Sequence, residues 1–232
     1  DTIYSTDLIR RKWLNNDFGG ITYSMNHQIE AANFILGGAY NKYSGQHYGN
    51  IIWAEYSSNA EVNHQYYWTK AEKFDYNFYG KVNYQYNEAT NIYLDLQSRK
   101  IQYIFGGIDE SGNAAKQEIS MIFFNPKIGL YHNLTQERSI YVSFAISNKE
   151  PNRNDYVEST PNSRPKHETL FDIEMGYKQK LDKLSLGVNV YHMKYKDQLI
   201  LTGEINDVGA YTRTNIDKSY RKPLCFTCNI PN

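Results

Sequence analysis

The stretch "FDIEMGYKQKLDKLSLGVNVYHMKY" (171–195) decides the fold. Phe171, Ile173, Met175 and Tyr177 alternate with Asp172, Glu174 and Gly176. After Asp182-Lys183, Leu184, Leu186, Val188 and Val190 alternate with Ser185, Gly187 and Asn189. A period of two puts successive side chains on opposite faces of a strand. The stretch therefore reads as a hairpin with one apolar and one polar face. Alternation alone does not say whether the apolar face meets a protein core or lipid.

The same period recurs along the chain. Phe74, Tyr76, Phe78, Val82 and Tyr84 share one face of "FDYNFYGKVNYQY", and Ile92, Leu94 and Leu96 share one face of "NIYLDLQSRK". Ile122, Phe124, Ile128, Leu130 and Leu134 repeat it, as do Ile140, Val142, Phe144 and Ile146. Weaker, glycine-rich candidates lie near 18–26 and 31–43. No segment keeps helical spacing. The expectation is all-β: an antiparallel up-and-down meander of eight strands, with a ninth near 211–221.

Connections separate into two kinds. "HQIE", "EAT", "TQER" and "DK" are short, and they alternate with long candidates at 44–70, 106–119, 148–166 and 201–210. A meander then carries all its short turns at one end, as transmembrane barrels do. Several strands pattern for 12 or more residues, against about 5–6 in ordinary sheets. In the opening hairpin the apolar face ends at Val190, and the same face continues as His192, Lys194 and Lys196. Tyr191, Met193 and Tyr195 become apolar on the other face, so Tyr191 marks the strand leaving lipid.

Composition agrees. The chain has 232 residues, 41% of them hydrophobic, with a mean hydropathy of −0.68. It contains no apolar run long enough for a transmembrane helix. Barrel strands expose only half their residues to lipid, so a low average is compatible with them. The 25 basic residues balance the 25 acidic ones, which does not recommend a nucleic-acid partner. Tyrosine is abundant, 22 against 10 Phe and 3 Trp, and it suits strands and wet–dry boundaries.

"NKEPNRNDY" (148–156), "RPKHETLFDIEMGYK" (164–178) and "YKDQLILTGEINDVG" (195–209) resemble the barrel of TonB-dependent outer-membrane receptors, especially those of Bacteroides-like bacteria. Lys166-His167-Glu168-Thr169 and Ile173-Glu174-Met175-Gly176-Tyr177 are similar to two of the family's segments, with His167 where proline is usual. The resemblance covers about 10–221. It implies a place in the bacterial outer membrane, in a barrel of the plugged-transporter size class. It implies lipid around the wall, TonB acting through a plug, and a small nutrient as ligand, in the ferric siderophore or cobalamin class or a glycan. No covalent chemistry and no cofactor is implied. Residues 1–221 would then be a partial barrel without its plug, and 222–232, "KPLCFTCNIPN", an atypical tail without alternation. Two other readings are a porin-like or enzyme barrel and a soluble all-β binding module.

Candidate residues follow. Tyr48, Trp53, Tyr56, Tyr66, Tyr67 and Trp68 fall in the long candidate loop 44–70, where aromatic rings on a rigid scaffold can form a ligand platform. Glu168, Asp172 and Glu174 share a strand face, and the resemblance makes them lumen-facing wall residues. No catalytic residue is assigned. Cys225 and Cys228 form a CxxC without a second ligand pair, and His47 and His64 share one candidate loop, so no metal site is assigned.

Overall fold

A computed structural model describes residues 5–56, 61, 63–108, 114–157, 159, 164–205 and 211–229. The strands are β1 (Leu8–Ile29), β2 (Ala32–Ala54), β3 (His64–Gln85), β4 (Thr90–Ile108), β5 (Ala114–Asn133) and β6 (Arg138–Lys149). One helical turn, α1 (Arg153–Val157), precedes β7 (Glu168–Leu181), β8 (Leu184–Ile205), β9 (Tyr211–Arg221) and β10 (Leu224–Asn229). Strand neighbours run β1-β2-β3-β4-β5-β6-β7-β8-β10, with β9 also paired to β8. This is the antiparallel meander that the alternation predicts. Among the described residues no helix is long and apolar enough to cross a membrane.

Two units can be distinguished: Asp1–Tyr23, Gly37–Phe78 and Arg99–Ile122 in one, and Ser24–Leu36, Tyr79–Ser98 and Phe123–Asn232 in the other. The second contains the hairpin that decides the fold. Met175 pairs with Val142 on one side and Val190 on the other, and Val190 pairs with Leu224. One row down, Ile140, Tyr177, Val188 and Phe226 are successive partners. These rows are exposed, Val142 at 42% and Met175 at 52%, whereas Ser143 on the opposite face of β6 is only 7% exposed. A water-soluble sheet buries its greasy face and wets its serines. Here the order is inverted. The exposed apolar rows need a hydrocarbon neighbour.

The short connections stand where the sequence puts them, at 30–31, 86–89, 134–137 and 182–183. The first is a two-residue turn with Glu30 at φ 41°. The long ones need correction. Strands β2 and β3 run through most of 44–70, leaving 55–63 as the connection. Likewise 106–119 contracts to 109–113, and 201–210 to 206–210. Only the connection before β7 stays long, and it holds α1. The asymmetry between the two ends is thus one of projecting strands more than of loops. Strands β1, β3 and β8 have 22 residues each, roughly double the 9–11 that cross a bilayer.

Alternation hides this projection for a physical reason. On the β4 face that carries Asp95, Gln97 and Arg99, the next residues are Ile101 and Phe105, at 1% and 3% exposure. The face changes from polar to apolar along one strand. Phe123 does the same on β5, packing edge-on against His167 at 5.3 Å between ring centroids.

Residues 222–229 also need correction. Leu224, Phe226 and Cys228 alternate with Cys225, Thr227 and Asn229 and pair with Val190 through Ser185. Arg221 pairs with Met193 and Leu224 with Val190, so β9 and β10 follow one unbroken register along β8. Pro223 divides them because it has no N–H to give. The expected atypical tail is the lower half of the last described wall strand.

That register separates the two cysteines. Cys225 lies opposite Asn189 on the polar face, and Cys228 opposite Leu186 on the apolar face. A disulfide needs Cβ atoms about 3.5–4.5 Å apart, which residues on opposite faces of one strand do not offer. Titration of the solubilised, unreduced protein with a chromogenic thiol reagent is expected to count two free thiols. A count of zero in monomeric protein would overturn the register of β10.

Candidate functional site

The polar face of β6, β7 and β8 in the second unit is a connected wall. Tyr141 and Gly176 are direct cross-strand partners, and Gly176 pairs onward with Asn189. The Tyr141 ring lies across the bare Gly176 backbone. Its hydroxyl donates to the Glu174 carboxylate at 2.5 Å, with the Asn189 side-chain oxygen at 3.0 Å. Tyr93 covers Gly129 in the same manner. Glu168 is held by Lys149 at 3.0 Å. Asp172 differs: its Oδ1 is buried without a hydrogen-bond partner among the described residues. Of the three carboxylates expected on this wall, two are engaged within it and one is unsatisfied. Tyr141, Tyr93 and the glycines beneath them escaped sequence reasoning. A tyrosine directly opposite a glycine is a signal only once the register is known.

The connection before β7 is anchored at its helical turn. The Asn152 N–H donates to the Asp155 carboxylate, and the Asp155 N–H donates back to the Asn152 side chain, a reciprocal cap. Arg213 lies 3.6 Å from the same carboxylate. Tyr156 is buried, and that burial pushes its hydroxyl up to about 12, with Glu150 and Asp155 adding and Arg164 opposing. It therefore stays neutral at physiological pH. These contacts give "PNRNDY" a structural role.

The first unit carries the six expected aromatic residues, but not on one loop or one face. Tyr48 and Trp53 are on β2, Tyr66, Tyr67 and Trp68 on β3, and Tyr56 in the connection between them. Tyr48 stacks on Trp13 of β1 at 6.2 Å, and it shares with Trp68, Gln46 and Lys70 a recess of about 240 Å³. Tyr66 and Tyr67 instead meet edge to face at 5.0 Å, both against Gly49. Arg10 lies over the Tyr66 ring at 5.6 Å and Lys12 over the Tyr67 ring at 5.8 Å. The Tyr66 hydroxyl is buried without a hydrogen-bond partner among the described residues. Trp53 and Tyr56 are exposed. The single loop platform is therefore corrected to two clusters, because β2 and β3 run through most of the candidate loop and hold its rings at separate places along two strands. Arg10, Lys12 and Trp13 went unnoticed, since the candidate near 18–26 stops short of the first half of β1, which shows too little alternation to be read as strand.

Among the described residues no group of three or more His, Cys, Asp or Glu side chains could hold a metal ion. His47 is on β2 and His64 begins β3, so they do not share a loop.

An inverted sheet of long antiparallel strands, apolar outside and hydrogen-bonded along its polar face, defines a segment of transmembrane β-barrel wall. Residues 2–222 match the family described as TonB dependent receptor-like, beta-barrel, and the chain belongs to that family. It is a receptor family of the bacterial outer membrane, not an enzyme family. No curated protein matches the sequence. Similar solved structures include the copper transporter OprC, at 14% identity and a TM-score of 0.74, with 93% of this chain and 36% of that chain covered. The siderophore receptor PiuA from Acinetobacter baumannii is similar at 16% identity and 0.66, over 94% and 36%. The ferric yersiniabactin uptake receptor FyuA from Yersinia pestis follows at 10% and 0.62, over 94% and 33%. This chain thus spans about a third of the length of these structures.

Proposed function

We propose that this chain is part of the barrel wall of a receptor that takes up a scarce nutrient across the outer membrane, driven by TonB acting on a plug. The observation that carries the reading is the cluster of Arg10, Lys12, Tyr66 and Tyr67 in the projecting part of the wall. Two cations over two rings, with a buried hydroxyl still unsatisfied, offer charge, a flat surface and a hydrogen bond to one ligand. An anionic chelate that carries aromatic ligand rings, such as a ferric catecholate siderophore, fits that chemistry better than cobalamin or a neutral glycan. Glu168, Asp172 and Glu174 face the lumen in this reading, and a plug donor would satisfy Asp172 Oδ1.

The test is binding and uptake by the intact receptor. Tyr66→Phe, Tyr67→Ala and Arg10→Gln are each expected to weaken binding of a ferric catecholate about tenfold or more, measured by quenching of protein fluorescence. Trp53→Ala and Tyr56→Ala should leave it unchanged. Unaltered affinity in all three cluster variants would reject the site.

A further inference from the structure

Above the apolar band, the lipid-side face of β8 carries His192, Lys194 and Lys196, all exposed. On β9 the same face carries Tyr220, 70% exposed, and Lys218. Phe171 and Tyr220 flank Lys194, and Thr169 and Lys218 flank Lys196, in direct cross-strand pairs. Lys222 lies over the Tyr220 ring at 5.4 Å. Four lysines thus share one patch, and none of these neighbours is acidic. The carboxylates next to these lysines in sequence, Asp197 beside Lys196 and Asp217 beside Lys218, alternate onto the opposite face, and Asp197 sits 3.9 Å from Lys166.

Lys196 and Lys218 are the informative pair. Like charges directly opposite each other on one sheet face destabilise it, and nothing in the described wall offsets the repulsion. A bound anion would. Below the patch, on the same face, Leu130, Val142, Met175, Val188 and Val190 line a depression of about 380 Å³. From Lys194 to Val190 is four residues of extended chain, or about 13 Å. The surface is therefore amphiphilic: cations at the rim, with a shallow apolar trough directly beneath. The patch lies at the end away from the Asp182-Lys183 turn, and in barrels of this kind the short turns are periplasmic. It therefore faces the outer leaflet.

We infer that Lys194, Lys196 and Lys218 form a binding site on the outside of the barrel for the phosphates of a phosphorylated lipid of the outer leaflet, whose acyl chain lies in the trough below. This site is separate from the nutrient cluster and does not depend on that reading.

The experiment uses the intact receptor, purified from outer membranes and stripped of lipid with a non-ionic detergent. Diphosphoryl lipid A in neutral bicelles is the probe, and retention is read by native mass spectrometry. Near a membrane surface each lysine adds an increment that multiplies binding several-fold, so K194Q/K196Q/K218Q is expected to bind on the order of a hundredfold more weakly. The matching Lys→Arg triple variant should bind like the wild type, and so should Lys183→Gln at the far turn. With wild-type receptor, dephosphorylated lipid A should be retained far less than the diphosphoryl form, and an excess of inorganic phosphate should not displace the latter. The inference is overturned if the Lys→Gln variant binds as well as the wild type or if dephosphorylated lipid A binds equally. Displacement by inorganic phosphate at matched concentration also overturns it, in favour of a free-anion site. The headgroup comparison needs no variant, so it decides the matter even if the Lys→Gln protein does not assemble.

Discussion

Val188→Arg in the intact receptor is expected to block assembly into the outer membrane. Val188 sits between Tyr177 on β7 and Phe226 on β10, in a row of apolar partners. It lies between the turn at 182–183 and the lysines at the rim, and so near mid-membrane. A guanidinium there has no aqueous exit, and the cost on a lipid-facing barrel position is about 2–4 kcal/mol at the midplane. Asn189→Arg, one residue along, points to the opposite face beside Gly176 and Tyr141. There it has the Glu174 carboxylate within its neighbourhood and should be tolerated. The readout is the heat-modifiable shift of the folded receptor on gels, with urea titration for whatever assembles. Equal tolerance of the two variants would mean that the faces are assigned the wrong way round.

Gly176→Ala is the second large effect. A Cβ at 176 would be built into the Tyr141 ring and against the Asn189 side chain. The ring cannot simply swing aside, because its hydroxyl is fixed by Glu174 and Asn189. Overpacking of this kind costs about 1–3 kcal/mol, and Gly176→Val should cost more. The mechanism makes a sharper claim than the single variant does. If the clash is with the ring, Tyr141→Ala should cost less in the Gly176→Ala background than in the wild type, with a coupling of about 0.5–3 kcal/mol. Additive costs in urea unfolding would place the damage elsewhere. Gly129→Ala, beneath Tyr93, should behave similarly.

The sequence made the lower wall legible because lipid and polar surroundings impose opposite demands on adjacent residues. Strict alternation from Phe171 to Val190 is the direct result, and the short turns punctuate it. Higher up, both faces meet water or protein, and the demand relaxes. That is why Ile101 and Phe105 follow Arg99 on one face, and why β2 and β3 run on through what read as a loop. The ligand cluster was only half legible. The aromatic residues were visible as types, but their division between Trp13–Tyr48 and Arg10–Tyr66 depends on registers that sequence does not carry. The lysines of β8 were visible as a change of phase. Their direct opposition to Lys218 was not, since it needs the pairing of β8 with β9.

Pro223 has a use as a depth gauge. The Tyr191 amide donates to the Pro223 carbonyl at 3.1 Å, but proline has no amide to return to Tyr191. In hydrocarbon an unanswered carbonyl costs several kcal/mol; in contact with water it costs little. A wall strand can therefore carry a proline facing its neighbour only where hydration begins. On this strand that level falls between Leu224, which pairs with Val190, and Arg221, which pairs with Met193. The backbone and the side chains thus locate the outer edge of the hydrocarbon independently, and they agree to within one pair of residues.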